Sequence, residues 1–182
     1  METEARWYVA HDNGHVQCSL CPHNCMLADG KPGICRVRYN ESGKLATAVY
    51  GFVSALHIDP IEKKPLYHFY PGSQILSLGT YGCNLRCYFC QNCSISQTAP
   101  AAESVKNYYT PGQIIQLAKQ QPGNIGIACT YNEPVVWYEY MFDIAVQAKK
   151  AGLKTVMVTN GFINNEPLNE ILPLIDAFSV DL

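Results

Sequence analysis

Beyond Pro71 the chain alternates two kinds of apolar pattern. Short apolar or β-branched runs at residues 75–78, 125–129, 155–158 and 177–182 have the length and composition of strands. Between them lie stretches with helical spacing. Residues 111–119 carry Ile114, Ile115, Leu117 and Ala118, with Thr110 placed to cap the helix and Pro111 at its first position, where a missing N–H costs nothing. Residues 133–151 set Val136, Tyr140, Ile144 and Ala148 on one face, and Gly152 ends the run. A third, shorter helix over residues 167–172 is limited by Pro173. The second and third strands start roughly 30 residues apart, the size of a βαβ unit, whose crossover is right-handed. The pattern predicts an α/β fold in which repeated βα units curl a parallel sheet into a partial (β/α) barrel. The fourth strand reaches residue 182 with no helix after it to cover its face, so the reading is of a barrel truncated after about four strands.

The first 70 residues follow a different pattern. Residues 17–38 are dominated by Cys, Pro and Gly, which predicts a loop-rich knot with no core of its own, organised by whatever its thiols bind. Residues 44–50 predict a short strand after a turn at 40–43, paired in a hairpin with residues 34–37. Residues 59–72 are broken by Pro60, Pro65 and Pro71 and predict an irregular connection. The chain thus divides into a Cys-rich N-terminal module with its connector, 1–70, and a barrel core, 71–182.

Composition narrows the function classes. A hydrophobic content of 48% supports a core, and 15% charged residues is too few for a disordered chain. The net charge of -2, with no basic cluster larger than Lys63-Lys64 or Lys149-Lys150, argues against nucleic acid or an acidic membrane as partner. An acidic start and the lack of any run of about 18 apolar residues predict a cytoplasmic chain. Nine cysteines, an odd number without an export signal, read as metal ligands rather than disulfides.

Seven of those cysteines fall into two groups. Cys83, Cys87 and Cys90 follow the first core strand. Three thiolates so spaced can hold a [4Fe-4S] cluster with one iron lacking a protein ligand, an open position of the kind that catalytic metals keep. A structural zinc, or a four-ligand cluster completed by Cys93, is the plainer alternative. Cys18, Cys21, Cys25 and Cys35 offer four thiols and no spare position, which suits structural zinc and an auxiliary [4Fe-4S] cluster equally; use of His23, or no metal at all, also remains open. Cys129 sits inside a strand, as small buried apolar cysteines do. Glu133 is placed to stabilise the helix after it, and Asn160-Gly161 is an ordinary turn pair. Glu62, Lys63, Lys64 and His68 read as solvated groups on the connector, with a place facing a substrate as the alternative, and Trp137, Tyr138 and Tyr140 as helix packing and surface, with an aromatic patch for a partner as the alternative.

The spacing C-x3-C-x2-C with Phe89 before its last cysteine resembles the signature of the radical S-adenosylmethionine (SAM) superfamily, and the resemblance extends over residues 75–182. It implies that the open iron chelates the amino and carboxylate groups of SAM, and that one electron cleaves SAM to a 5′-deoxyadenosyl radical that abstracts hydrogen from a substrate. Phe89 is similar to the aromatic near the adenine. Thr130-Tyr131-Asn132-Glu133-Pro134 stands where the family has Gly-Gly-Glu-Pro; only Glu133 and Pro134 match, which implies that Glu133 contacts the methionine amino group. Thr159-Asn160-Gly161 resembles the Thr-Asn-Gly turn of glycyl-radical-enzyme activases, near the SAM ribose and carboxylate, although Val158 replaces an acid of the pyruvate formate-lyase activating enzyme. Asp181 looks like the aspartate of the activases' Leu-Asp-Leu-Lys motif. More narrowly, residues 18–25, 33–38, 59–69 and 90–92 resemble the AmmeMemoRadiSam system radical SAM enzyme of that group, in which Trp is common at the position of Cys93. The resemblance implies a flavodoxin or ferredoxin-type reductant and, as target, a glycyl residue of a partner enzyme or a small molecule. The competing class is a non-catalytic iron-sulfur electron-transfer or zinc-structured binding protein.

Overall fold

The structure is a computed structural model and describes residues 3–100 and 107–181. Its N-terminal part consists of short strands β1 (Thr3–Glu4), β2 (Tyr8–Ala10), β3 (Val16–Cys18), β4 (Met26–Leu27), β5 (Arg38–Glu41) and β6 (Lys44–Thr47). They form two antiparallel sheets, ordered β1-β6-β5 and β2-β3-β4. The β5–β6 hairpin turns on Ser42 and Gly43, at φ 51° and 84°. Two successive positive φ values make the tight turn that suits strand twist, so Glu41 pairs with Lys44 and the partner strand is 38–41 rather than the expected 34–37.

β7 (Ala55–Pro60) runs antiparallel to β8 (Gln74–Gly79), and β9 (Asn124–Cys129), β10 (Lys154–Thr159) and β11 (Ala177–Val180) add in parallel to give a sheet ordered β11-β10-β9-β8-β7. The four expected parallel strands are all present; Leu182, assigned to the last of them, lies outside the described residues. β7 takes in Asp59 and Pro60, the first two residues of the connection expected to be irregular; beyond the 3-10 turn Ile61–Lys63 the rest of that connection has no regular structure, as expected. As an outer strand ending in Pro60, it tolerates the missing N–H that a central strand would not. The sheet therefore begins well before residue 71.

Helices α1 (Cys93–Ser96), α2 (Pro111–Gln120), α3 (Tyr138–Lys150) and α4 (Asn165–Ile171) complete the regular structure of the described residues together with short 3-10 turns. Thr110 accepts from the Gln113 amide while the Gln113 side chain accepts from the Thr110 amide, a reciprocal cap that fixes the start of α2. The long helix expected from residue 133 instead opens as a 3-10 turn, Pro134–Trp137, before α3 begins. Alternation along each strand gives the sheet two faces. Leu76, Leu78, Ile127, Cys129 and Met157 join Ile114, Tyr140, Ile144 and Ala148 of the helices in the main core, while Ile75, Ala128 and Val156 pack with Ile61 on the other face. Val16, Leu20, Leu27, Val37 and Leu45 belong to that same main core, so the Cys-rich segment is not coreless: it shares the core that α3 supplies. Trp137, Tyr138 and Tyr140 are fully buried. No helix among the described residues is long and apolar enough to cross a membrane.

Candidate active site

The C-terminal ends of the parallel strands carry the loops that converge on one region. β8 ends at Gly79, where a Cβ would stand 2.7 Å from the Thr130 carbonyl oxygen, so the loop after β9 presses directly on it. Asn132 fastens the two loops: its Oδ1 accepts from the Thr80 amide at 2.9 Å and its Nδ2 donates to the Gly82 carbonyl at 2.8 Å. Asn92, beyond the cysteines, donates from Nδ2 to the Tyr131 carbonyl at 2.8 Å. Gly82, at φ 83°, leaves no room for a Cβ against the Cys35 carbonyl, 2.7 Å away. The cysteine loop is thus clamped between the β9 loop and the N-terminal segment.

Within this clamp Cys83 is half-buried, with the Leu85 amide donating to its sulfur at 3.4 Å and Asn160 Nδ2 at 3.9 Å. Burial pushes the Cys83 thiol up to about 11, and the neighbouring Glu133, Cys87 and Cys90 add to the rise against the opposing Leu85 amide. A thiolate at this place calls for a compensating cation. Cys90 is half-buried, with its sulfur 3.8 Å from Ser96 Oγ, and Cys87 and Cys93 are exposed. Among the described residues no three His, Cys, Asp or Glu side chains converge tightly enough to hold a metal ion as they stand.

Glu133 is buried, and its carboxylate joins three elements. Oε1 accepts from Thr159 Oγ1 at 2.6 Å and the Val135 amide at 3.0 Å, and Oε2 accepts from the Asn160 amide at 2.8 Å. It caps the 3-10 turn, as its plain reading expects, and also latches the β9 loop to the end of β10. Burial pushes its carboxyl up to about 7 against those hydrogen bonds, and the charge of Asp181 raises it further. Asn160 continues the chain of contacts, donating from Nδ2 to Asn84 Oδ1 at 2.9 Å. Asp181 is exposed, and its amide donates to the Thr159 carbonyl at 2.9 Å. Phe89 and its neighbour Tyr88 are exposed, with Phe89 at 85%.

The profile of the radical SAM superfamily matches residues 77–182, more than half of the chain. The chain belongs to the radical SAM superfamily. This radical SAM chain is also 45% identical over 179 residues to the uncharacterized protein MJ0808 of Methanocaldococcus jannaschii, an alignment covering 98% of this chain and 53% of that protein. It spans about half the length of that curated relative.

Membership of the superfamily implies a [4Fe-4S] cluster and SAM, and the donor set of the loop fits them. Three soft sulfurs on one loop match iron-sulfur chemistry, and a cationic partner would offset the desolvation of Cys83. An ionised carboxylate offers about four acceptor sites, of which Glu133 uses three, so one remains on Oε2 for an incoming donor. Of the positions singled out in the sequence, Cys83, Glu133 and Asn160 meet through direct or shared contacts, Asp181 acts on Glu133 through charge, and Phe89 stands apart with its ring uncovered.

Sequence reasoning gave no role of their own to Asn84, Asn92, Asn132 and Thr159, although the last three stand inside motifs that it read. Each is a polar residue beside or between motif residues, and its position after a strand or within the cysteine spacing was the available signal. It also misplaced Lys64, which is no solvated charge but a buried one, paired with Asp59 at 2.7 Å. In the N-terminal segment, Cys18, Cys21, Cys25 and Cys35 line one cavity, with His23 and Arg38 beside them.

Proposed function

We propose that this radical SAM chain uses Cys83, Cys87 and Cys90 to hold the site-differentiated cluster and acts as an enzyme. The observation that carries the reading is the meeting of Cys83, Asn160 and Glu133 at the ends of β8, β10 and β9, where three separate motifs support one cofactor cleft. When bound, the cluster and SAM supply a one-electron cleavage that yields a 5′-deoxyadenosyl radical for hydrogen abstraction. The chain's own residues position and shield. Asn132 and Asn92 hold the cysteine loop in place, and Asn84 and Asn160 fix its approach to the β10 turn. Glu133 keeps a vacant acceptor site for an ammonium, whose charge would draw its raised carboxyl into the ionised form. The exposed ring of Phe89 offers a face for the adenine, and Asp181 a carboxylate near the same carboxyl.

The Thr159-Asn160-Gly161 turn supports an activase-like target, a glycyl residue of a partner enzyme, and the exposed Cys87 edge suits electron entry from a flavodoxin or ferredoxin. The parallel order of β8, β9, β10 and β11 supports four βα units of a (β/α) barrel.

The test is 5′-deoxyadenosine release from anaerobically reconstituted, dithionite-reduced protein. Cys87→Ser abolishes release, whereas Cys93→Ser leaves it largely intact and SAM still perturbs the spectrum of the reduced cluster. Loss of SAM sensitivity in Cys93→Ser together with a damaged cluster would instead establish a four-ligand, non-catalytic centre.

A further inference from the structure

The N-terminal cysteines present a second constellation, independent of the cleft. Cys18, Cys21, Cys25 and Cys35 come from the end of β3, the loop to β4 and the approach to β5, yet all four line one cavity. Its remaining wall includes Leu20, Val135 and Val136, which are fully buried and keep water from the thiols.

Arg38 lines the same cavity and is 2% exposed. Its Nη1 donates to both oxygens of Glu139, at 3.0 and 2.9 Å, and its Nη2 to the Arg6 carbonyl at 2.6 Å. Its Nε–H has no hydrogen-bond partner among the described residues. A buried donor left bare costs on the order of 1–3 kcal/mol, more on a charged group, and four thiols beside it are the natural acceptors once they carry negative charge.

We propose that Cys18, Cys21, Cys25 and Cys35 bind an auxiliary four-thiolate [4Fe-4S] cluster toward which Arg38 Nε–H donates. Zinc needs only the four sulfurs, at about 2.3 Å from one point, and adds no further acceptor. A cubane brings four sulfides as well as the four thiolates, so the bare Nε–H on the cavity wall gains acceptors that a single ion would not supply. Hydrogen bonds to cluster sulfur are one of the levers that set reduction potential, which gives the unpaired arginine donor a role.

This centre is also wired mechanically to the catalytic loop. The carbonyl of Asn84, the residue after Cys83, accepts from Nε2 of His23, which stands between Cys21 and Cys25, at 2.8 Å. Asn164, beyond β10, donates from Nδ2 to the Ser19 carbonyl at 2.7 Å. Filling the cavity therefore orders the segment against which the cysteine loop rests.

The decisive protein is the full chain with Cys83, Cys87 and Cys90 all changed to Ala, so that the outcome is read apart from the radical SAM assignment. After anaerobic reconstitution with iron and sulfide it retains about four iron and four sulfide per chain, with the Mössbauer signature of a [4Fe-4S] cluster. One zinc per chain without iron, or no bound metal, overturns the proposal. Should that variant fail to fold, the pair Cys18→Ser and Cys21→Ser in the otherwise native chain gives the answer: iron falls from about eight to about four per chain, and an unchanged eight overturns the proposal.

Discussion

At the scale of single residues, the buried charges carry information that sequence position concealed. Asp59 lies on β7 and accepts from Lys63 Nζ at 2.8 Å, Lys64 Nζ at 2.7 Å and the Tyr131 hydroxyl at 2.6 Å. Burial works against its ionisation, but those three hydrogen bonds and the Lys64 charge outweigh it and hold its carboxyl well below the usual range. A depressed carboxyl contributes its full stability above about pH 4, its value in the unfolded chain, and loses that contribution as the pH falls. Asp59→Asn leaves Lys64 buried without its counter-ion and is expected to cost about 3–5 kcal/mol at pH 7. The gap between the two proteins narrows on acidification below pH 4, a trend that urea unfolding across pH measures; a gap independent of pH would remove the ion pair from the account. The sequence showed Lys63 and Lys64 only as adjacent charges on a proline-broken stretch. Their difference, one exposed and one buried, depends on β7 pairing with β8, a contact no local pattern reports.

At the scale of elements, the parallel strands and α2 were legible because their signals are local. Capping chemistry at Thr110 and Pro111 and short β-branched runs each act within a few residues. β7 was not legible, since its pairing comes from the sheet edge and its own residues end in proline. Glycines show the same contrast between local and pairwise causes. Gly126 pairs with Lys154 between β9 and β10, and a Cβ there would lie 1.9 Å from the Lys154 carbonyl oxygen. Gly112 sits in α2 with its nearest neighbour 3.7 Å from a built Cβ. Gly126→Ala must push backbone apart and is expected to destabilise by about 3 kcal/mol or more. Gly112→Ala is expected to stabilise by about 0.4–1 kcal/mol through a less disordered unfolded chain. Opposite shifts in denaturation midpoint for one chemical change would verify the close approach of β9 to β10; shifts of like sign would contradict it.

At the scale of the molecule, the cysteine spacing made the candidate site legible, while the support beneath it came from distant partners. Cys83, Glu133 and Asn160 belong to motifs that a reader of the sequence finds one at a time; their meeting depends on the order β10-β9-β8 in the sheet. The attachment of the N-terminal sheets is less visible still. Arg38 of β5 and Glu139 of α3 form a buried pair, and Glu139 Oε1 also accepts from the Arg6 amide at 2.7 Å. Arg6 in turn lies over the Phe142 ring at 4.7 Å and pairs with Glu170 of α4. These contacts cross the line drawn at residue 70, and they fix the wall of the cysteine cavity to the helix that covers the main sheet. Desolvating two charges costs nearly as much as their attraction returns, so the pair is worth less than its parts suggest. Arg38→Met alone strands a buried carboxylate and is expected to cost about 3–5 kcal/mol, and Glu139→Leu alone strands a guanidinium at a similar cost. The double substitution removes both charges together and is expected to recover most of that loss, giving a large coupling energy in a double-mutant cycle followed by urea unfolding. Additive costs would mean that the two side chains do not act as one fastening, and that the N-terminal sheets are held to α3 by the shared apolar core alone.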